Sequence, residues 1–210
     1  RMAGVDLVLC DGVGRTETWA RQEMDRIRDT GTVVSVDRAP GTNEVPANGL
    51  LYLDPVLAAR YARLVGDAMA RRVPSQGDAF RSRAAAYVAE IDGIAASFQP
   101  RPGAQVMVLS GLFAPMLARL GVGSVLVDAD YLNLTAGDAQ TVRRAAEAAG
   151  VTSLLVPFDT PPGTLTYLAE QTGLKPFTID PLGYPNYPQH GSYLDVLRFN
   201  LEQLTLATAG

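Results

Sequence analysis

Lysine is almost missing from this chain. Of 18 basic residues only Lys175 is not an arginine, a bias that fits a GC-rich genome better than a function. Cysteine is reduced to Cys10, which excludes an intrachain disulfide framework. Histidine is reduced to His190, so a zinc site built mainly from imidazole nitrogen is out of reach. No apolar run approaches the ~20 residues that span a bilayer as a helix. An excess of basic charge is lacking too: 18 Lys and Arg against 22 Asp and Glu leave −4, no footing for nucleic acid or an anionic membrane surface. The chain starts at Arg1 rather than Met and shows no signal sequence, so upstream residues are expected to have been processed away, excised or left out. Hydrophobic residues are plentiful, at 47% of 210, enough to bury the core of one large domain or of two small lobes.

The stretch that organises the rest runs from Leu50 to Gln99. Leu51-Tyr52-Leu53-Asp54-Pro55 opens it, and Leu57, Tyr61, Leu64, Val65 and Ala68 then recur at helical steps on one face. Val73 to Asp78 interrupts the run; Pro74 suits a first helical position, and Ser75 or Asp78 suits an N-cap. A second helix carries Phe80, Ala84, Tyr87, Val88, Ile91, Ala95 and Phe98 on one stripe, with Arg81, Arg83, Glu90 and Asp92 opposite. Phe80, Tyr87, Val88, Ile91 and Phe98 are therefore expected to be buried. Twenty-odd helical residues measure roughly 30 Å, which suits a strut between two α/β lobes.

Strand-like and helix-like segments alternate on both sides of this stretch. Val5 to Cys10 reads as a strand, Thr18 to Arg28 as a helix, Thr32 to Val36 as a strand and Arg38 to Gly49 as loop. Beyond Gln99, strands are expected at Gln105 to Leu109, Ser124 to Val127, Thr152 to Val156 and Pro176 to Ile179. Helices are expected at Ala114 to Leu120, Asp138 to Ala149, Gly163 to Thr172 and Tyr193 to Leu206. Such alternation places the chain in the α/β class, with parallel sheets covered by helices. The expected organisation is part of an N-terminal α/β lobe in residues 1–50, a helical linker in 51–99 and a C-terminal α/β lobe in 100–210. Two strands and one helix cannot cover both faces of a sheet, so the N-terminal lobe reads as truncated.

The residues able to do chemistry follow strands. Gly12-Val13-Gly14-Arg15-Thr16-Glu17 has the setting of a dinucleotide fingerprint, and Asp37 ends the next strand; Glu17, however, stands where the third glycine should be and would face a pyrophosphate. A turn that needs glycine for its backbone accounts for it. Ser110 ends a strand, but Val108 occupies the position where a nucleophile elbow needs glycine, so Ser110 lines a cleft or caps the helix that follows. An α/β hydrolytic enzyme built on Ser110, Asp130 or Asp180 lacks a general base, and no catalytic residue is assigned. Asp180 ends the last strand, where ligands bind in open α/β sheets, and equally suits a turn before Pro181. Asp128, Asp130, Tyr131 and Asn133 follow another strand. Tyr184, Tyr187 and Tyr193 surround His190 in a proline-rich loop, as an aromatic wall or as loop packing, and the lone histidine is expected at the surface. Tyr52, Ser110, Tyr131 and Asp180 are expected to converge on one cleft between the lobes.

Several segments together point further. They are Val5-Asp6-Leu7-Val8 with Gly12-Val13-Gly14, Leu51-Tyr52-Leu53-Asp54-Pro55, Ser110-Gly111-Leu112-Phe113, Leu168 to Gly173, Ile179-Asp180-Pro181-Leu182-Gly183, and Ser192 to Asn200. In order and spacing the chain resembles the zinc- and manganese-binding solute-binding proteins of bacterial ABC transporters, which have two α/β lobes joined by a long helix. The resemblance implies an extracytoplasmic protein, periplasmic or lipid-anchored to the outer face of the cell membrane. It also implies a partner, the membrane permease of an ABC transporter, and no enzymatic activity.

The same resemblance implies where metal ligands would fall. The first histidine would precede Arg1, the second would fall at Leu50, the third at Ser110 and the carboxylate at Asp180. Asp180 is thus the one surviving candidate metal ligand, in a ligand cleft of Tyr52, Ser110, Tyr131 and Asp180 that has diverged from the histidine set. A divalent metal ion, Mn2+ or Zn2+, is expected to be held weakly if at all. Oxygen donors at Asp128, Asp130 and Asp180 would favour Mn2+, Mg2+ or Ca2+ over Zn2+. The alternative role is a module that binds no ligand and docks on a transporter or a surface protein.

Overall fold

In the computed structural model, which describes residues 7–10, 32–35, 51–184, 186–187 and 190–209, two short apolar segments form β1 (Leu7–Cys10) and β2 (Thr32–Ser35). They pair in parallel, Leu7 opposite Thr32 and Cys10 opposite Ser35. The expected glycine turn at Gly12 to Gly14, the helix at Thr18 to Arg28 and Leu50 lie outside the described residues. Helix α1 (Pro55–Arg72) starts where the sequence supplies a cap. The Asp54 carboxylate accepts the N–H groups of Val56 (2.8 Å) and Leu57 (3.3 Å), and Pro55 occupies a position that needs no donor.

The chain then reverses. Val73 closes α1 by donating to the Met69 carbonyl, Pro74–Gln76 makes one 3-10 turn, and α2 (Gly77–Ser97) follows. Neither Ser75 nor Asp78 is the cap: Val73 flanks the turn with no side-chain cap, and Asp78 sits inside α2, 3.4 Å from Arg81. Helices α1 and α2 lie antiparallel, as the ion pairs Arg81–Asp67 (3.5 Å) and Arg63–Asp92 (3.7 Å) attest. A Cβ on Gly66 would stand 2.6 Å from the Ala84 Cβ, so the close crossing depends on glycine at that position. The stretch expected to be one interrupted strut is thus a helical hairpin, with α2 as its long helix.

Val88, Ile91 and Phe98 are buried as expected, but Phe80 is only half-buried and Tyr87 is 36% exposed. Helical spacing puts Tyr87 at the margin of the line through Gly77, Ala84, Val88 and Ile91, where a phenol keeps one edge in water. Two compact units make up the chain, Arg1–Gly93 and Ile94–Gly210, and the division falls inside α2.

The second unit holds β3 (Gln105–Val108), α3 (Ala114–Arg119), β4 (Gly123–Leu126), α4 (Ala136–Ala149), β5 (Ser153–Pro157), α5 (Pro162–Thr172), β6 (Lys175–Ile179) and α6 (Tyr193–Thr208). Its four strands are parallel in the order β4-β3-β5-β6. On one face Met107, Leu109, Leu154 and Val156 pack against Val142 and Ala146 of α4 and Leu168 of α5. Alternation turns Ser153, Leu155 and Pro157 to the other face, where the Ser153 hydroxyl donates to the Ala207 carbonyl at the end of α6 (2.7 Å). Leu197, Leu201 and Leu204 are the buried stripe of α6.

Helix ends follow local chemistry. Thr135 and Asp138 form a reciprocal capping box on α4, and Gly150 and Gly173 close α4 and α5 in the left-handed conformation. Where β6 begins, Lys175 lays its ammonium group 5.0 Å from the centre of the Phe177 ring. The sheet runs outward from β3 to β4, then returns to β5 on β3's other side. That reversal puts the switch point of the sheet, the place where ligands bind in open α/β folds, at the carboxyl ends of β3 and β5.

Candidate functional site

Four loops leave the carboxyl ends of the strands. After β3, the Ser110 hydroxyl accepts the Leu112 N–H (3.3 Å) and so caps the one-turn helix Gly111–Phe113. After β4, the Asp130 carboxylate accepts Asn133 Nδ2 (2.7 Å) and the Leu132 N–H (3.0 Å), bonds that hold its pKa below the ordinary aspartate value. Tyr131, next to it, is half-buried against the α4–α5 core. Burial first, then the carboxylates of Asp159 and Asp130, raise its phenol pKa. After β5 come Phe158 and Asp159, the latter exposed.

The loop after β6 is built on Asp180, which is fully buried. One carboxylate oxygen accepts the N–H groups of Leu182 (2.9 Å) and Gly183 (2.8 Å). The other meets His190 Nδ1. The backbone of Asp180 is clamped by Asn200 of α6: its N–H donates to Asn200 Oδ1 (2.7 Å), and its carbonyl accepts from Nδ2 (2.9 Å). Gly183 turns the chain at φ +76, a conformation that favours glycine.

His190, expected at the surface, is 2% exposed. Its ring centroid stands 4.3 Å from that of Phe158 and 4.4 Å from that of Phe199, with Tyr187 and Tyr184 at 6.0 and 6.4 Å. A carboxylate at one nitrogen and aromatic rings around the imidazole offset its loss of water. Nε2 is buried and, among the described residues, has no hydrogen-bond partner.

The loops meet around Tyr184. Its phenol pKa is raised by burial first, then by the Asp159 carboxylate, with smaller contributions from Asp180 and Tyr131. Tyr131 and Asp180 therefore belong to one neighbourhood, and Ser110 stands at the end of adjoining β3. Tyr52 lies in the first unit, half-buried in the turn Leu51–Leu53 that precedes α1. Asp159 was not anticipated from the sequence. Its signal is its place after β5 at the reversal of strand order, which is readable only once that order is known.

Two electrostatic facts bound the chemistry. The loops at residues 109–113, 127–135, 158–161 and 180–192 carry Asp128, Asp130, Asp159 and Asp180 and no lysine or arginine, whereas Arg101, Arg119 and Lys175 lie at the opposite ends of the strands. Yet the carboxylates do not converge: among the described residues no group of three or more His, Cys, Asp or Glu is placed to hold a metal ion. The oxygen-donor set of Asp128, Asp130 and Asp180 is not assembled, because Asp180 faces inward and Asp130 is bound into its own turn. Zinc asks for about four ligands, and Asp180 as placed offers it no uncommitted oxygen.

Comparison with known proteins bears on the fold and the family. The zinc-bound ZnuA-like domain of Streptococcus pneumoniae AdcA is similar at 16% identity and a TM-score of 0.80, covering 98% of this chain and 81% of that one. The metal-dependent lipoprotein YcdH of Bacillus subtilis is similar at 15% identity and a TM-score of 0.83, covering 100% and 82%. The solute-binding protein FpvC of Pseudomonas aeruginosa, solved with Ni2+, gives 17% identity and a TM-score of 0.76, covering 99% and 80%. No match is found among curated protein sequences. A family model described as zinc-uptake complex component A, periplasmic, matches residues 1–207, and on that match the chain belongs to the ZnuA family of metal-type solute-binding proteins.

Proposed function

We propose that this protein is the extracytoplasmic solute-binding component of an ABC transporter, with a cleft that has diverged from metal capture and a membrane permease as its partner. The observation that carries the reading is the state of Asp180. Its carboxylate receives two backbone N–H groups and an imidazole nitrogen in a fully buried setting, so a cation would have to displace His190 to reach it. With leucine at position 50 and the Ser110 hydroxyl bound to backbone, Zn2+ or Mn2+ finds, among the described residues, only isolated oxygen donors. In this reading Ser110 and Tyr131 shape the ligand-facing edge of the second unit over the buried Asp180, while Tyr52 belongs to the first unit.

Titration calorimetry of chelator-treated protein with Zn2+ and with Mn2+ tests the proposal, using Asp180→Ala as control. Weak or undetectable heats are expected. Tight stoichiometric binding abolished by Asp180→Ala would overturn it.

A second reading, a docking module that binds no solute, has one observation in its favour. Leu182, Leu132 and Tyr187, all in loops at the carboxyl edge of the sheet, are 71%, 53% and 49% exposed. Pull-down with the permease, wild type against Leu182→Asp, tests this second reading, and an undiminished yield would overturn it.

A further inference from the structure

We propose that the rim formed by Tyr184, Tyr187, Asp159 and Tyr131 binds an organic ammonium cation. This rests on the reading of the chain as a solute-binding protein whose cargo is not held by Asp180, and it names the class of that cargo. Tyr184 and Tyr187 stand almost perpendicular, 88° between planes and 6.5 Å between centroids, as two walls of a corner. Phe158 backs both, at 5.2 Å from Tyr184 and 5.5 Å from Tyr187. Successive backbone bonds, Tyr187 N–H to the Tyr184 carbonyl and His190 N–H to the Tyr187 carbonyl, each 2.9 Å, tie these three residues to one another. Tyr187 is 49% exposed, so its ring reaches water.

The anionic partner is in place. Asp159, exposed and next in sequence to Phe158, supplies carboxylate oxygens for an N–H donor or charge for a quaternary centre, and its charge is felt by the Tyr184 phenol. Tyr131 feels the same carboxylate from the β4 side. No lysine or arginine occurs in the four loops to neutralise it.

The choice between cations follows from the donors. A small hard dication needs several oxygens around one point, and the carboxylates here do not converge. An ammonium spread over methyl or methylene groups is attracted by aromatic faces and needs only one carboxylate nearby.

The test titrates the full chain with choline and with spermidine, each against KCl at matched ionic strength, following tyrosine fluorescence and calorimetry. Saturable one-to-one binding of either amine is expected. Tyr187→Ala and Asp159→Asn should each weaken it about tenfold, whereas Tyr187→Phe, which keeps the ring face and its packing on Phe158, should retain it. A response no greater than that to KCl, or an affinity indifferent to Tyr187→Ala, would overturn the proposal. The two readings fail separately. Absent amine binding removes the ligand class and leaves the solute-binding reading to the metal titration. Tight Zn2+ binding through Asp180 removes the latter whatever choline does.

Discussion

Asn200 holds both backbone groups of Asp180 with one amide, a pairing that only a side chain with a donor and an acceptor side by side can make. Asn200→Ala strands a buried N–H and a buried carbonyl and is expected to cost about 2–4 kcal/mol in denaturant unfolding. Asn200→Asp, nearly isosteric, should fare no better, since a carboxylate cannot donate to the Asp180 carbonyl. His190→Ala removes one partner of a buried pair and empties the slot between Phe158 and Phe199; a loss of about 3–5 kcal/mol is expected by the same measurement. The tyrosines offer a test by pH. Folded-state pKa values of Tyr131 and Tyr184 lie above the ordinary value, so their protonated forms contribute stability that is intact below the unfolded value of ~10 and is lost as pH rises through the folded values. Asp159→Asn should lower both phenol titrations, read by ultraviolet absorbance. At this scale the sequence was a partial guide. Asp180 and Tyr131 stood out because they follow strands, whereas the burial of His190 did not, because its partners lie 10 residues back in Asp180, further back in Phe158 and ahead in Phe199.

Between the helices α1 and α2, a single missing methyl group sets the approach. Gly66→Ala brings its Cβ against that of Ala84, which has no rotamer with which to retreat, and is expected to destabilise by about 1–3 kcal/mol. Ala84→Gly in the same chain should restore most of that, and the coupling in a double-mutant cycle is the readout. Ile91→Ala, at a fully buried position of α2, should cost about 2–5 kcal/mol. Helices and strands of the second unit were legible from periodicity and glycine stops, with boundaries displaced by a residue or two. The reversal at Val73–Gln76 was visible as a break but not as a hairpin. Proline marks where a helix starts, while the fold-back is decided by Gly66 against Ala84, a contact between residues 18 apart. Tyr87 falls outside the buried stripe because spacing alone does not say where a stripe ends.

Across the whole molecule, alternating strands and helices sufficed to name parallel α/β architecture, but not the order β4-β3-β5-β6, since a period of two says which face a side chain takes and not which strand lies beside it. The strand-order reversal, and with it the place of Asp159, was hidden for that reason. The second unit has cores on both faces of its sheet, so a fragment from Ile94 to Gly210 is expected to unfold cooperatively in urea by circular dichroism and tryptophan-independent probes; a broad, non-cooperative transition would show that the unit depends on the remainder. The scarcity of lysine has a practical side. The lone ε-amine, on Lys175, sits at the amino-terminal end of β6, and the rim of Tyr184 and Asp159 follows the opposite ends of the strands. Amine-reactive chemistry at that side chain would tether the second unit to a sensor chip or bead in one orientation, with the aromatic rim facing the flow.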